Sequence, residues 1–333
     1  AHDLPDGNLY KIEFFEGDKK VQGPGQCLDA ADLGDFNQVL RASKSGSDSW
    51  RKNFELRHYY AYRSIVECVR HYDIAQGKNY YYYHHPENQR WRILPWDVDI
   101  TWAEGQYGTG EHRLRTLVAD NIAFRQDYQN RLREIMDLLF NAEQTGMLID
   151  ELAYPIAAPE LNLAGADDAF WERHPDNAMP GVSYQFFQNQ GFESSIRGAV
   201  AYMKSFVKQR RVLLQRLLLR DETLIPETPK IQQRGDGTFV ASPTARRGKR
   251  ALAGLAWRVA EVTVPGAPTF DPNQPRRYEI EPIWESGELP STETKLKLPD
   301  DLKRNEGATY RLRLRVKDSE GRWSHWSAPV SPF

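Results

Sequence analysis

The chain has 333 residues, with 44 Lys and Arg against 46 Asp and Glu, and 40% hydrophobic and 12% aromatic content. This near balance of charge leaves no electrostatic footprint for nucleic acid or an anionic membrane surface, and no apolar run approaches the roughly 20 residues of a membrane-spanning helix. The two cysteines, Cys27 and Cys68, are too few for a disulfide framework or for a zinc site without histidines, and they are read as free, partly buried thiols.

In chain order, Asp6-Gly7-Asn8 is a turn signal, Leu9 to Phe15 a short strand, and the glycine-rich stretch 16–25 a loop. Residues 29–49 hold one weak helical patch (Phe36, Val39, Leu40), and Asp48 or Ser49 is placed to cap the next helix. That helix is predicted to run to about Arg70, with Phe54, Leu56, Tyr59, Tyr60, Tyr62, Ile65, Val66 and Val69 on a broad apolar face. It delivers the chain into His71-Tyr72-Asp73. Tyr80 to Tyr83 form an aromatic strand, His84 to Arg90 a turn, and Trp91 to Trp96 a second strand closed by Asp97-Val98-Asp99. After a glycine-rich loop at 103–110, helical periodicity returns at about 121–141, 143–158 and 193–219, with Pro155 and Pro159 breaking or kinking the second of these. The cations of the last helix (Lys208, Arg210, Arg211, Arg216, Arg220) suit a helix C-terminus.

Residues 221–232, with Pro226 and Pro229, read as a linker. Beyond them the period changes to two, and strands are predicted at 251–264, 277–283, 294–298 and 309–317. The clearest sets Tyr310, Leu312, Leu314 and Val316 inward against Arg311, Arg313, Arg315 and Lys317. Strands at this spacing over 233–333 predict a β-sandwich. Trp323-Ser324-His325-Trp326-Ser327 resembles the WSxWS box of cytokine-receptor fibronectin type III domains, which implies a fibronectin type III-like fold. Its tryptophans are expected to interleave with the neighbouring arginines as a cation–π ladder.

Asp73, Asn79, Asp97 and Asp99 fall within one small supersecondary unit. Oxygen ligands gathered in this way suit a hard cation such as magnesium. Each also has a plainer use: Asp73 could end its helix, Asn79 could bond a strand edge, Asp99 could brace a loop, and Trp91 could be core. The block Asp73, Asn79-Tyr80-Tyr81-Tyr82-Tyr83 and Trp91-Arg92-Ile93-Leu94-Pro95-Trp96-Asp97-Val98-Asp99 resembles the CotH (spore coat protein H) kinase family of atypical protein kinases. The resemblance covers roughly 1–220 and extends to Asp6-Gly7-Asn8-Leu9-Tyr10-Lys11. It implies an α+β fold: a mostly helical kinase-like C-lobe with a small β-hairpin catalytic unit, followed here by the all-β sandwich. Asp73 would accept the proton of a substrate hydroxyl. Asn79 and Asp97 would hold Mg²⁺ (or Mn²⁺) on the ATP phosphates, with Asp99 assisting, and Trp91 would stack on adenine. His71, two residues before Asp73, would be structural. Strands of the family's N-terminal lobe are expected upstream of Asp6, so the chain reads as lacking most of that lobe.

The predicted function is therefore Mg-dependent phosphoryl transfer from ATP to a protein hydroxyl, with the sandwich available to a cell-surface or matrix partner. A catalytically silent, adhesive protein on a kinase-like scaffold is the alternative, and an acid cluster alone also admits a metal-dependent phosphohydrolase. The fibronectin-like ending favours an extracytoplasmic location by fold analogy.

Overall fold

The computed structural model describes residues 4–13, 17–23, 47–74, 78–103, 105, 110, 111, 113–157, 165, 196–242 and 250–333. Cys27, the weak helical patch at Phe36–Leu40 and Pro159 lie outside these residues. The chain divides into two compact units, Ala1–Arg131 and Leu132–Phe333.

The first unit is built on a four-stranded antiparallel sheet. Its strands are β1 (Asn8–Glu13), β2 (Gly17–Gln22), β3 (Tyr80–His84) and β4 (Trp91–Pro95), in the order β2-β1-β3-β4. The stretch expected to be a loop after β1 contains β2, since Val21 and its neighbours pair with β1 through Leu9↔Gln22 to Glu13↔Gly17. Gly7 leads into β1 where a Cβ would stand 2.4 Å from the His84 carbonyl oxygen and 2.7 Å from the Tyr83 ring, so only glycine fits.

The single helix expected before Asp73 is two: α1 (Ser47–Asn53) and α2 (Leu56–Val69). Asp48 and Ser49 lie inside α1 rather than capping it. The break has a local cause. Phe54 forms a β-bridge with Trp91, and the Glu55 N–H donates to the Trp91 carbonyl at 2.9 Å, so β4 claims the backbone that would have continued the helix. Glu55 also pairs with Arg92 of β4 at 2.6 Å. Leu56, Tyr59, Tyr60, Tyr62, Val66 and Cys68 are buried along α2. A helix not foreseen from the sequence, α3 (Arg113–Asp120), precedes α4 (Ile122–Leu138). Asn121 caps α4 through its Oδ1, which accepts from the N–H groups of Ala123 (3.0 Å) and Phe124 (3.3 Å).

The second unit joins the end of α4 to α5 (Gln144–Ala157), α6 (Ile196–Leu217) and the C-terminal strands. Asn141 caps α5, accepting from Glu143 and Gln144 at 3.1 and 2.9 Å. Pro155 sits within that helix. Two of the α6 cations have work beyond the macrodipole: Arg210 is buried, and Arg211 donates to the carbonyls of Met136 and Phe140 where α4 ends.

Strands β5 (Ile231–Gln233), β6 (Phe239–Ala241) and β10 (Lys295–Leu296) form one sheet in the order β10-β6-β5. Strands β7 (Leu252–Val262), β8 (Pro282–Glu285) and β11 (Thr309–Asp318) form the other in the order β11-β7-β8, with β9 (Leu289–Pro290) also paired to β7. Phe239 and Leu296 of the first sheet pack into one core with Leu255, Trp257, Val259, Leu312, Leu314 and Val316 of the second. The alternation read in β11 holds, with Tyr310, Leu312, Leu314 and Val316 buried. The strand predicted at 277–283 differs: pairing begins only at Pro282, because the Glu279 N–H donates to the Gln144 side chain at 2.8 Å instead of to β7. The segment read as a linker is not fully solvated, as Asp221 and Ile225 are buried and β5 starts at Ile231. The family resemblance therefore sits on an α+β fold whose antiparallel sheets belong to separate regions of the chain.

Candidate active site

Helix α2 ends at Val69 with Arg70 in the left-handed region at φ +45°, and the His71 N–H returns to the Val66 carbonyl at 3.2 Å. This reversal buries His71 and turns Asp73 outward, with 28% of its side chain exposed. A second segment runs alongside the first. Tyr72 N–H donates to Ile100 O at 2.7 Å, Trp102 N–H to Val69 O at 2.5 Å, Ala103 N–H to Arg70 O at 3.3 Å and Gly110 N–H to Ile74 O at 3.1 Å. These bonds hold the residues after Asp99 against those on either side of Asp73.

Asn79 opens β3 at φ +63°, and its amide nitrogen donates to the Asp73 carbonyl at 2.6 Å and to Asp73 Oδ2 at 3.3 Å. Lys78 Nζ lies 3.6 Å from the other Asp73 oxygen. With its nitrogen committed to Asp73, Asn79 has its carbonyl oxygen as the end suited to a cation. The Trp96 N–H donates to the backbone carbonyl of Asn79 at 3.1 Å, which brings the end of β4 beside it. Asp97 follows at φ +49°, and Trp96 to Asp99 are all exposed. Asn79 and Asp97 are thus two of the few non-glycine residues at positive φ among the described residues, and Arg70 and Trp102 flank the same place. Asn and Asp tolerate this region better than most residues, and such conformations cluster at functional sites.

His71 marks the centre. Burial holds its imidazole below the ordinary range, against the opposing pull of Asp73, Asp99 and Asp97. Among the described residues, no three His, Cys, Asp or Glu side chains converge as a metal-chelating group. A magnesium site completed by phosphate and water needs only one or two carboxylates, so the pair of an Asn79 oxygen and Asp97 fits that chemistry.

Trp91 is placed differently from the accessible position that the resemblance implies. It is 1% exposed, stacked on His84 with centroids 4.4 Å apart and planes 7° apart, and tilted against Tyr10 at 5.2 Å. The face that would meet a base is covered by its own hairpin, because Trp91 and His84 are cross-strand partners. The exposed ring at the site is Trp96, set edge-on to Tyr81 at 5.6 Å.

Sequence reasoning missed Glu111, which is fully buried beneath the hairpin. It accepts from the Tyr82 hydroxyl and, at 2.9–3.2 Å, from the N–H groups of Leu114 and Arg115 that open α3. Burial and the nearby Glu111 charge push the Tyr59, Tyr62 and Tyr82 phenols well above their usual range. The available signal is an acid just past the glycine-rich loop at 103–110, two residues ahead of α3.

A comparison with curated proteins finds none that matches the chain. A family model described as CotH kinase protein matches residues 18–214, more than half of the chain, and its span includes Asp73, Asn79, Trp91, Asp97 and Asp99. The hairpin, the helices that carry it and this match agree, and the chain belongs to the CotH kinase protein family.

Proposed function

We propose that the family region transfers the γ-phosphoryl group of ATP to a hydroxyl of a protein substrate. Membership of the family suggests a kinase-like protein that uses nucleotide and metal in general terms. The observation that supports the finer reading is the Asn79–Asp73 bond at 2.6 Å beside Asp97, in a loop pair braced by four backbone hydrogen bonds. Asp73 takes the proton of the acceptor hydroxyl as that oxygen bonds to the γ-phosphorus and the bond to the β-phosphate oxygen breaks. Asn79 keeps Asp73 pointed outward by binding both its backbone and its carboxylate. Asn79 and Asp97, with Asp99 beside them, would hold a magnesium or manganese ion that neutralises phosphate charge.

One observation favours the second reading, a silent kinase-like scaffold: His84 covers the face of Trp91. Stacking of Trp91 on adenine requires the two rings to part. Thermal denaturation of the full chain with ATP and Mg²⁺ or Mn²⁺ separates the readings. A functional site at 100 times its dissociation constant gains about 2.7 kcal/mol, seen as a higher Tm. Radiolabel transfer that is lost in Asp73→Asn and Asp97→Asn supports the kinase reading. No shift with either metal, together with no transfer, supports the scaffold.

A further inference from the structure

The C-terminal strands carry a feature that the kinase reading does not use. His325 lies between two carboxylates: its Nδ1 is 2.8 and 3.1 Å from the Asp137 oxygens on α4, and its Nε2 is 3.0 Å from Glu222 Oε2 just past α6. The Trp326 N–H donates to the same Asp137 at 2.9 Å, and the Trp326 ring packs with Leu138 of α4 and Ala256 of β7. Beside it, Arg133 of α4 is 1% exposed and binds Asp221 at 2.8 Å, Glu222 at 3.2 Å and the Trp323 carbonyl at 3.2 Å.

The contact continues along the helices. Glu143, before α5, binds Arg311 of β11, and Glu279 bridges Arg311 and Arg313. Arg276 donates to Glu151 and to the Met147 carbonyl of α5 at 2.9 and 2.6 Å, and Tyr278 donates to Glu151. The ladder expected of the Trp323–Trp326 segment is present, with Arg315 4.4 Å from the Trp323 ring and 4.5 Å from that of Trp326. Trp326 is 5% exposed, and its ring is covered by the chain's own residues, Leu138 of α4 among them.

We propose that the C-terminal β-module is a structural cap for the helical end of the family region, latched onto α4 by His325 bridging Asp137 and Glu222, and is not a free binding appendage. The charged groups packed about the latch are Arg133, Glu134 and Asp137 on α4, Asp221 and Glu222 after α6, Arg258 on β7 and Arg315 on β11. Burial opposes charging of His325, but the bonds to Asp137 and Glu222 outweigh it and push the imidazole up to about 9. The latch is thus a doubly bonded imidazolium at neutral pH, and deprotonation leaves one carboxylate facing an acceptor nitrogen.

The test uses the full chain between pH 6.5 and 9.5. NMR titration of the His325 ring is expected near pH 9. Hydrogen-exchange protection of α4 residues 132–138 and of β7 and β11 is expected to fall together with the same midpoint. His325→Gln is expected to lower the Tm of this unit by about 5–10 °C and to remove that pH dependence. Titration of His325 near its ordinary 6.5, or separate unfolding transitions for the strands and for α4–α5, would overturn the proposal. If His325→Gln does not fold, Glu222→Gln keeps the Asp137 half of the latch. It is expected to move the His325 titration down, and an unmoved titration would equally overturn the latch.

Discussion

Asn79 joins conformation and chemistry at a single position. Its φ of +63° costs an ordinary L-residue about 1–2 kcal/mol, which glycine escapes and asparagine tolerates. Asn79→Ala should therefore be less stable than Asn79→Gly by about 1 kcal/mol in chemical denaturation, although both lose the amide that orients Asp73. A stability order with alanine equal to glycine would show that the strain is not present. If Asp73 is the base, Asp73→Asn should lower transfer by about 10²–10⁴-fold with little change in Tm, because the side chain is part-exposed and its removal opens no cavity. The sequence spacing placed Asp73, Asn79 and Asp97 in one loop pair. It did not place Trp91, since a buried cross-strand ring and a ligand-facing ring have the same strand pattern.

At the scale of elements, the hairpin β3–β4 depends on what lies beneath and before it. Glu111 ties the Tyr82 hydroxyl to the first turn of α3, so Glu111→Ala should destabilise the first unit by about 3 kcal/mol through a lost charged hydrogen bond and a lost helix cap. Urea denaturation followed by tyrosine fluorescence reads this directly. At the hairpin's other edge, Gly7→Ala forces a Cβ into the His84 carbonyl and should cost about 1–3 kcal/mol, because a backbone oxygen cannot step aside as a flexible side chain can. The α1–α2 break was not legible in the sequence for a related reason. The helical periodicity from Phe54 onward is genuine, yet the Glu55 N–H donates to the Trp91 carbonyl of a strand 36 residues later. Local pattern sees the helix and not the strand that interrupts it.

At the scale of the whole chain, the second unit gains stability from charges that titrate. His325, raised when folded, contributes fully below its ordinary 6.5, and that contribution is lost as pH rises through about 9. Glu222 works in the opposite sense. Its burial opposes ionisation, but the bonds from His325 and Arg133 hold its carboxyl below the ordinary 4.5. Its contribution is complete above 4.5 and is lost as pH falls through the folded value. Scanning calorimetry across pH should then give a Tm plateau between about 4.5 and 6.5, with a decline on each side. A Tm that climbs steadily to pH 9 would contradict the His325 assignment, and a Tm that does not fall below pH 4.5 would contradict that of Glu222.

The sequence by itself determined the α+β class, the hairpin with its acids, the long helices α4 to α6 and the alternation of β11, because each depends on period, turn chemistry and spacing within a few residues. It also carried the family, through a block whose acid, amide, tryptophan and paired aspartates fall at fixed intervals. Only the tertiary structure decided which face of Trp91 is covered, that Glu111 anchors the hairpin, and that the tryptophans near the C-terminus lie against α4. Those facts depend on partners distant in sequence, such as Asp137 with His325, 188 residues apart, and no local pattern encodes which distant group will fill a given surface.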